Sequence, residues 1–348
     1  MSLNNCLQCL EVADCLKLVF PLSEEMENCY TSLEYLSLET CDSLPSLPLE
    51  LFPKLQSLRI KDCRNFETLL TLNRLGFQNS ASLEWLWLHG CSNMESFSQQ
   101  VLIAPNLNAF FLWNCKKLKS LPDRMHSLTS LQSLGICNCP GIESFPEGGL
   151  PSSLHSLQIR NCVKLVARRR EWGLQRLPSL KYFFFSSEYE DVLESFPEEG
   201  LLPSTLRWLD IEDLPHLKSL NNRGLQHLGS LKNMRIAGCP QLQSLPEEGL
   251  PTSLFLLEIW KCPLLKPRCL REEGQDWHKI AGIPLLHTDS ELSFDQRTLA
   301  PTQDYSLFQT IAFGSQKTSQ LSSQQKKLVK CLNTPCINNK VAASSSLN

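Results

Sequence analysis

Several features are missing from this 348-residue chain, and each absence removes a class of function. No stretch of eighteen or more apolar residues occurs, so no membrane-spanning helix is expected. Neither sign of charge is in excess: 33 basic residues stand against 36 acidic ones, a formal net charge of −3. That balance gives no general attraction for nucleic acid or anionic lipid. The opening Met1-Ser2-Leu3-Asn4-Asn5-Cys6 has no basic segment followed by an apolar one, which predicts no secretory leader. No Asn-x-Ser/Thr glycosylation acceptor is present. A Gly-Lys dipeptide never occurs, so the Gly-x4-Gly-Lys-Ser/Thr loop that cradles nucleotide phosphates cannot be built. There is no Gly-x-Ser-x-Gly elbow, His-Glu-x-x-His, kinase set or dinucleotide loop, and the seven histidines are scattered without ligand spacing. An enzyme is therefore not expected, nor is a cofactor.

Cysteine, by contrast, is plentiful. Sixteen would suggest a disulfide framework if their positions were not periodic. Nine of them (Cys15, Cys41, Cys63, Cys91, Cys115, Cys139, Cys162, Cys239 and Cys262) recur at one slot of a repeat. With no leader and no glycosylation acceptor, that favours free thiols in a reducing, cytoplasmic setting, the alternative being a mature secreted fragment. The slot predicts a buried ladder of small apolar thiols whose weak donors face backbone carbonyls. A zinc site needs paired ligand clusters, and Cys137-x-Cys139 and Cys331-x4-Cys336 have no convincing partners, so no metal is expected.

The repeat itself is Leu-x-x-Leu-x-Leu/Ile-x-x-Cys, with a period of 22 to 28 residues. Eleven copies begin at Leu7, Leu33, Leu55, Leu83, Leu107, Leu131, Leu154, Leu180, Leu206, Leu231 and Leu254. This is the leucine-rich-repeat period and pattern. Positions four and six of a short strand point to one side, and three, five and seven to the other. One such strand cannot fold alone, whereas stacked copies bury their apolar faces in a continuous parallel sheet. The expected fold is a curved leucine-rich-repeat horseshoe, its concave face a sheet of eleven strands about 50 Å along its arc. Return segments such as Ser144-Phe145-Pro146-Glu147-Gly148-Gly149 are rich in proline and glycine, which predicts loops and short 3-10 turns on the convex side.

Residues 1–268 are assigned to the array and 269–288, with Trp277, Ile280, Ile283 and Leu285, to a C-terminal cap over the last open core face. The Ser/Thr/Gln-rich stretch 289–348 is expected to be disordered. Leu7 opens a repeat almost at once, which suggests a piece of something longer. Three copies depart from the rule. That at Leu180 carries Glu188 in the cysteine slot, that at Leu206 carries Leu214, and Arg168-Arg169-Arg170 interrupts a return segment as a solvated loop.

Outward positions hold the candidate partner-binding residues. Trp85, Trp87 and His89 in one copy neighbour Phe111 and Trp113 in the next, with Arg59 sharing the row of Trp87 and Phe111. A second patch joins Tyr182 and Phe184 to Trp208, and Trp260 is a further outward tryptophan. Aromatics and arginine dominate interface hot spots, so these residues point to protein recognition. The bland alternative is cross-strand packing that stiffens the sheet, which is how the charged row Asp210, Arg235, Glu258 is read.

Four stretches resemble the C-terminal repeat domain of plant intracellular disease-resistance receptors of the coiled-coil, nucleotide-binding, leucine-rich-repeat family. They are residues 143–154 (Glu143-Ser144-Phe145-Pro146 onward), 171–180 (Glu171-Trp172-Gly173 onward), 224–231 (Gly224-Leu225-Gln226 onward), and the segment from Cys262-Pro263 through Asp276-Trp277 to Ile283-Pro284. The resemblance covers roughly residues 7 to 288. It implies protein partners: pathogen effectors, guarded host proteins, or other domains of a parent receptor. The family's nucleotide-binding module has no counterpart here, so its ATP-dependent switch is not carried over. Alternatives are an intracellular repeat adaptor outside immunity and a non-signalling truncated receptor fragment.

Overall fold

In the computed structural model the described residues are 7–18, 30–70, 82–97, 104–188, 193–288 and the backbone of Lys326–Lys330. All eleven copies form a strand at their third to seventh positions. These are β1 (Cys9–Ala13), β2 (Tyr35–Glu39), β3 (Ser57–Lys61), β4 (Trp85–His89), β5 (Ala109–Trp113), β6 (Ser133–Cys137), β7 (Ser156–Arg160), β8 (Tyr182–Ser186), β9 (Trp208–Glu212), β10 (Asn233–Ala237) and β11 (Leu256–Trp260). Each pairs parallel with its neighbours, position for position, as in Ser57 opposite Trp85 and Trp85 opposite Ala109. Two further strands, β12 (Leu285–Thr288) beside β11 and β13 (Lys326–Lys330) beside β1, complete one 13-stranded parallel sheet. The chain is a leucine-rich-repeat solenoid.

The core follows the repeat. Leu36 and Leu38, Leu86 and Leu88, and Leu157 and Ile159 have no exposed surface, and each first-position leucine from Leu33 to Leu254 is buried above them. Each such side chain contributes about 1.5–3 kcal/mol of burial. The cysteine ladder runs along the strand ends as a second seam. Cys139 Sγ donates to the carbonyl of Cys137 at 3.3 Å in its own copy and to that of Leu112 at 3.6 Å in the copy before. Cys162 repeats the pattern on Arg160 at 3.2 Å and Ile136 at 3.4 Å. Burial pushes the Cys162 thiol up to about 12, so it stays protonated and can donate at neutral pH.

The residue before that slot has a role that the repeat pattern did not reveal. Asp14, Asp62, Gly90, Asn114, Asn138, Asn161, Asp213 and Gly238 all have φ between 51° and 65°, the left-handed region that Asn, Asp and Gly tolerate best. Each N–H then bonds the strand-end carbonyl of the next copy, for example Asn114 to Cys137 at 2.9 Å. The chain thereby leaves the sheet at the same angle in each of these copies.

The convex side carries helical segments of three to five residues, among them Met125–Ser127, Val163–Ala167 and Asn222–Gln226. It also carries two short parallel pairs that were not expected, Ser46–Pro48 with Thr68–Leu70 and Ser195–Phe196 with Ser219–Leu220. In the irregular copy Glu188 is exposed and Ser187 before it is buried, so the acid does not occupy the seam, while Leu214 does at 1% exposure. Within the arginine triplet, Arg169 folds back onto Glu198 at 2.5 Å while Arg168 and Arg170 face solvent.

At the C-terminal end, Ile280 is buried, and Trp277, Ile283 and Leu286 pack against the core. Leu286, opposite Leu257, takes the inward place that the sequence reading gave to Leu285, because β12 continues the sheet alternation there. This end is pinned by Asp276, 1% exposed. It accepts from the Leu245 N–H at 3.0 Å, from Arg268 at 3.0 and 3.2 Å and from Lys279 at 2.9 Å. Burial opposes its charge, but these donors outweigh that and hold its carboxyl at about 2. The expectation of a disordered tail lies outside the described residues except at β13. There Lys326-Lys327-Leu328-Val329-Lys330 occupies an edge whose N–H and C=O groups invite a parallel strand.

Candidate protein-recognition surface

The outward sheet face brings most of the candidate residues together. Arg59, Trp87 and Phe111 share one row, and Lys61, His89 and Trp113 the next. The Arg59 guanidinium lies 4.3 Å above the Trp87 ring, a cation–π contact. Trp87 also meets Trp113 edge-on at 6.0 Å between ring centroids, Trp85 at 6.4 Å and His89 at 5.4 Å. His89 is held at both nitrogens: Nδ1–H donates to Asp62 at 3.1 Å and Nε2 accepts from Asn114 at 2.9 Å. Trp85, Trp87, His89 and Trp113 are half-buried.

Phe111 differs from these four. It points outward as expected, yet it is only 3% exposed. Its ring lies over Gly135 on the next strand, where a Cβ would stand 2.5 Å from it. Glycine makes that hollow, and Phe111 fills it. Phe111 therefore supports the patch from below and is not part of its contact surface.

In the second patch Tyr182 stands opposite Trp208, their rings 6.1 Å apart and both half-buried. Phe184 is 6% exposed and, like Phe111, is support. Trp260 stands at the end of β11, across from Ala237, and joins neither patch.

The charged row Asp210, Arg235, Glu258, expected to be cross-strand packing, forms a network. Asp210 follows Trp208 on the same face of β9 and is only 3% exposed. It accepts from the Tyr182 hydroxyl at 3.4 Å, and Arg235 lies 3.7 Å away. Arg235 is nearer to Glu212, at 2.6 Å, and reaches Glu258 at 3.8 Å. His287 lies 3.5 Å from Glu258. Burial, and then repulsion from Glu212, push the Asp210 carboxyl up to about 8 despite Arg235. Its Oδ1 is buried with no hydrogen-bond partner. The outward acids Asp210 and Glu258 were legible in the sequence, but Glu212 beside them and the shortage of donors around all three were not.

Among the described residues no group of three or more His, Cys, Asp or Glu side chains is placed to hold a metal. Nor is any helix among them long and apolar enough to cross a membrane. The described return-segment hollows, such as that of about 570 Å³ between Lys119 and Gly148, are open and mixed in charge.

Sheet and seam together define a leucine-rich-repeat module, a class whose open faces serve protein–protein binding. Among curated proteins, the chain is 42% identical over 287 residues to a protein of Arabidopsis thaliana that bears the name of a disease resistance protein. That alignment takes in 82% of this chain and 20% of the relative, so the chain spans about a fifth of the relative's length. No family model matches the chain. Among solved structures, the leucine-rich-repeat domain of the type III effector XopL aligns with a TM-score of 0.44 at 24% identity, over 64% of this chain and 74% of that one. An internalin of Listeria monocytogenes aligns with a TM-score of 0.38 at 18% identity, over 84% of each.

Proposed function

We propose that this chain is the protein-recognition array of a plant innate immune receptor of the nucleotide-binding, leucine-rich-repeat type. It acts in the cytoplasm and senses pathogen effectors or guarded host proteins. In an intact receptor it would also contact other domains. The observation that carries this is the set of half-buried tryptophans, Trp85, Trp87 and Trp113, standing on an open sheet face beside Arg59. Large aromatics and arginine are the residues whose burial dominates protein interfaces. The likeness to a relative named for disease resistance supports the immune setting.

The test is capture of partners by the full chain expressed in plant cells, beside a Trp85→Ala/Trp87→Ala form whose melting is followed in parallel. The expected result is loss of specific partners from a variant that still folds. An unchanged partner set from a folded variant would overturn the proposal.

A further inference from the structure

The two patches differ in what they lack. Around Trp87 the aromatic surface already carries its own cation, Arg59. From β7 to β12 the balance reverses. Arg235 is shared by Asp210, Glu212 and Glu258, and Arg160 by Asp213 at 3.0 Å and Glu188 at 3.5 Å. Five acidic side chains thus share two guanidinium groups. Two of the three Arg235 contacts, at 3.7 and 3.8 Å, are too long for good charge-assisted hydrogen bonds.

Burial sharpens the shortage. Asp210 Oδ1 is covered and accepts from nothing, and Gln158 Oε1 on the same row of β7 is in the same condition. Buried acceptors without donors are costly, and here two of them lie on one open face. Next to them, Tyr182 and Trp208 offer adjacent, half-exposed aromatic rings. What this face lacks is hydrogen-bond donors carrying positive charge, beside a flat surface on which to lay them.

We propose that the surface formed by Tyr182, Trp208, Asp210, Glu212 and Glu258 binds an arginine side chain presented by a protein partner. This rests on the sheet face being a protein-binding surface and names the chemistry of its second patch. A guanidinium suits it better than an ammonium. Its plane stacks on Trp208 or Tyr182, and its five donors reach two carboxylates at once, where lysine supplies only a point charge. Arg235 already sits among these carboxylates as an internal guanidinium, and the incoming one completes the set.

The probe is a labelled twelve-residue peptide of Gly-Ser spacers bearing three arginines, with matched lysine and citrulline versions. Binding to the full chain is followed by anisotropy and by tryptophan fluorescence. The arginine peptide is expected to bind at least threefold more tightly than the lysine peptide and at least tenfold more tightly than the citrulline peptide, which keeps the shape and loses the charge. Glu212→Gln/Glu258→Gln should weaken the arginine peptide about tenfold, whereas Trp85→Ala/Trp87→Ala should leave it unchanged. Equal binding of the citrulline peptide, no measurable binding of the arginine peptide, or wild-type binding by the glutamine variant would each overturn the proposal. The citrulline comparison uses the unaltered chain, so it stands even if a variant misfolds. If the arginine peptide binds as expected while the Trp85/Trp87 variant keeps every plant partner, the immune reading of the first patch fails and this one holds.

Discussion

Two aspartates at opposite functional poles of the molecule are almost equally buried, Asp276 in the cap at 1% exposure and Asp210 on the sheet face at 3%. Their surroundings are opposite. Asp276 receives a backbone N–H and two cations, and its carboxyl is held at about 2. Asp210 receives one long hydroxyl contact and a share of one arginine, faces two glutamates, and is pushed up to about 8. A buried acid saturated with donors holds a structure together. A buried acid short of them destabilises the free protein, and a partner can relieve that cost. The contrast separates what the fold needs from what binding needs, and it can be tested from both sides.

The largest effect is expected at the saturated acid. Asp276→Ala leaves Arg268, Lys279 and the Leu245 N–H without their shared acceptor and should cost about 3–5 kcal/mol, the usual range for breaking a buried pair. Because only nearest neighbours hold a solenoid end, hydrogen exchange should show β12 and the helix Trp277–Ile280 opening first. A loss under 1 kcal/mol by urea unfolding would remove the cap's role.

The starved acid predicts the opposite slope with pH. Asp210 keeps its proton in the folded chain up to about pH 8, whereas an unfolded aspartate releases it near about 3.9. Between these values the folded state binds more protons, so stability falls as pH rises and the full cost is present above pH 8. Asp210→Asn removes that cost. Its melting temperature should match the wild type near pH 4 and exceed it by several degrees at pH 9. For Asp276 the sign is reversed: its stabilisation is present above about pH 4 and is lost as pH falls towards 2. Parallel melting curves for the two variants would erase the comparison.

A smaller effect separates support from surface within the first patch. Gly135→Ala places a methyl 2.5 Å from the Phe111 ring and should cost about 1–3 kcal/mol by overpacking. A neutral result would mean that Phe111 is free to move and belongs to the contact surface after all.

The strands were legible because each copy states its own alternation, and Leu33-x-x-Leu36-x-Leu38 can be satisfied only by a strand with one buried face. The row partners followed from equal spacing, so the sequence alone aligns Arg59, Trp87 and Phe111. Burial within the outward rows was not legible. Phe111 and Trp87 occupy the same position of adjacent copies, and only Gly135, one strand further on, decides that the first sinks and the second does not. Asp210 escaped for the same reason, since its environment comes from β8 and β10, each some twenty-five residues away in sequence, and from β11, nearly fifty away. The twelfth strand was hidden because Leu285 follows a helical cap and lacks the repeat that announces the others.

The smallest stability effect belongs to the residue expected to matter most for binding. Trp87 contributes to the free fold through its contact with Arg59 and through ring contacts to Trp85, His89 and Trp113. Cation–π and cross-strand aromatic contacts at partly exposed sites are worth about 0.5–1 kcal/mol, so Trp87→Ala should lower stability by about 1 kcal/mol. The same truncation at the centre of a protein interface typically costs about 2 kcal/mol or more, at least thirtyfold in affinity. Calorimetry of the folded variant against a captured partner, set beside its denaturation curve, measures both. A binding loss no larger than the stability loss would place Trp87 with Phe111 among the residues that only stiffen the sheet. A thirtyfold loss with a nearly native melt would mark it as a contact residue that the fold itself hardly needs.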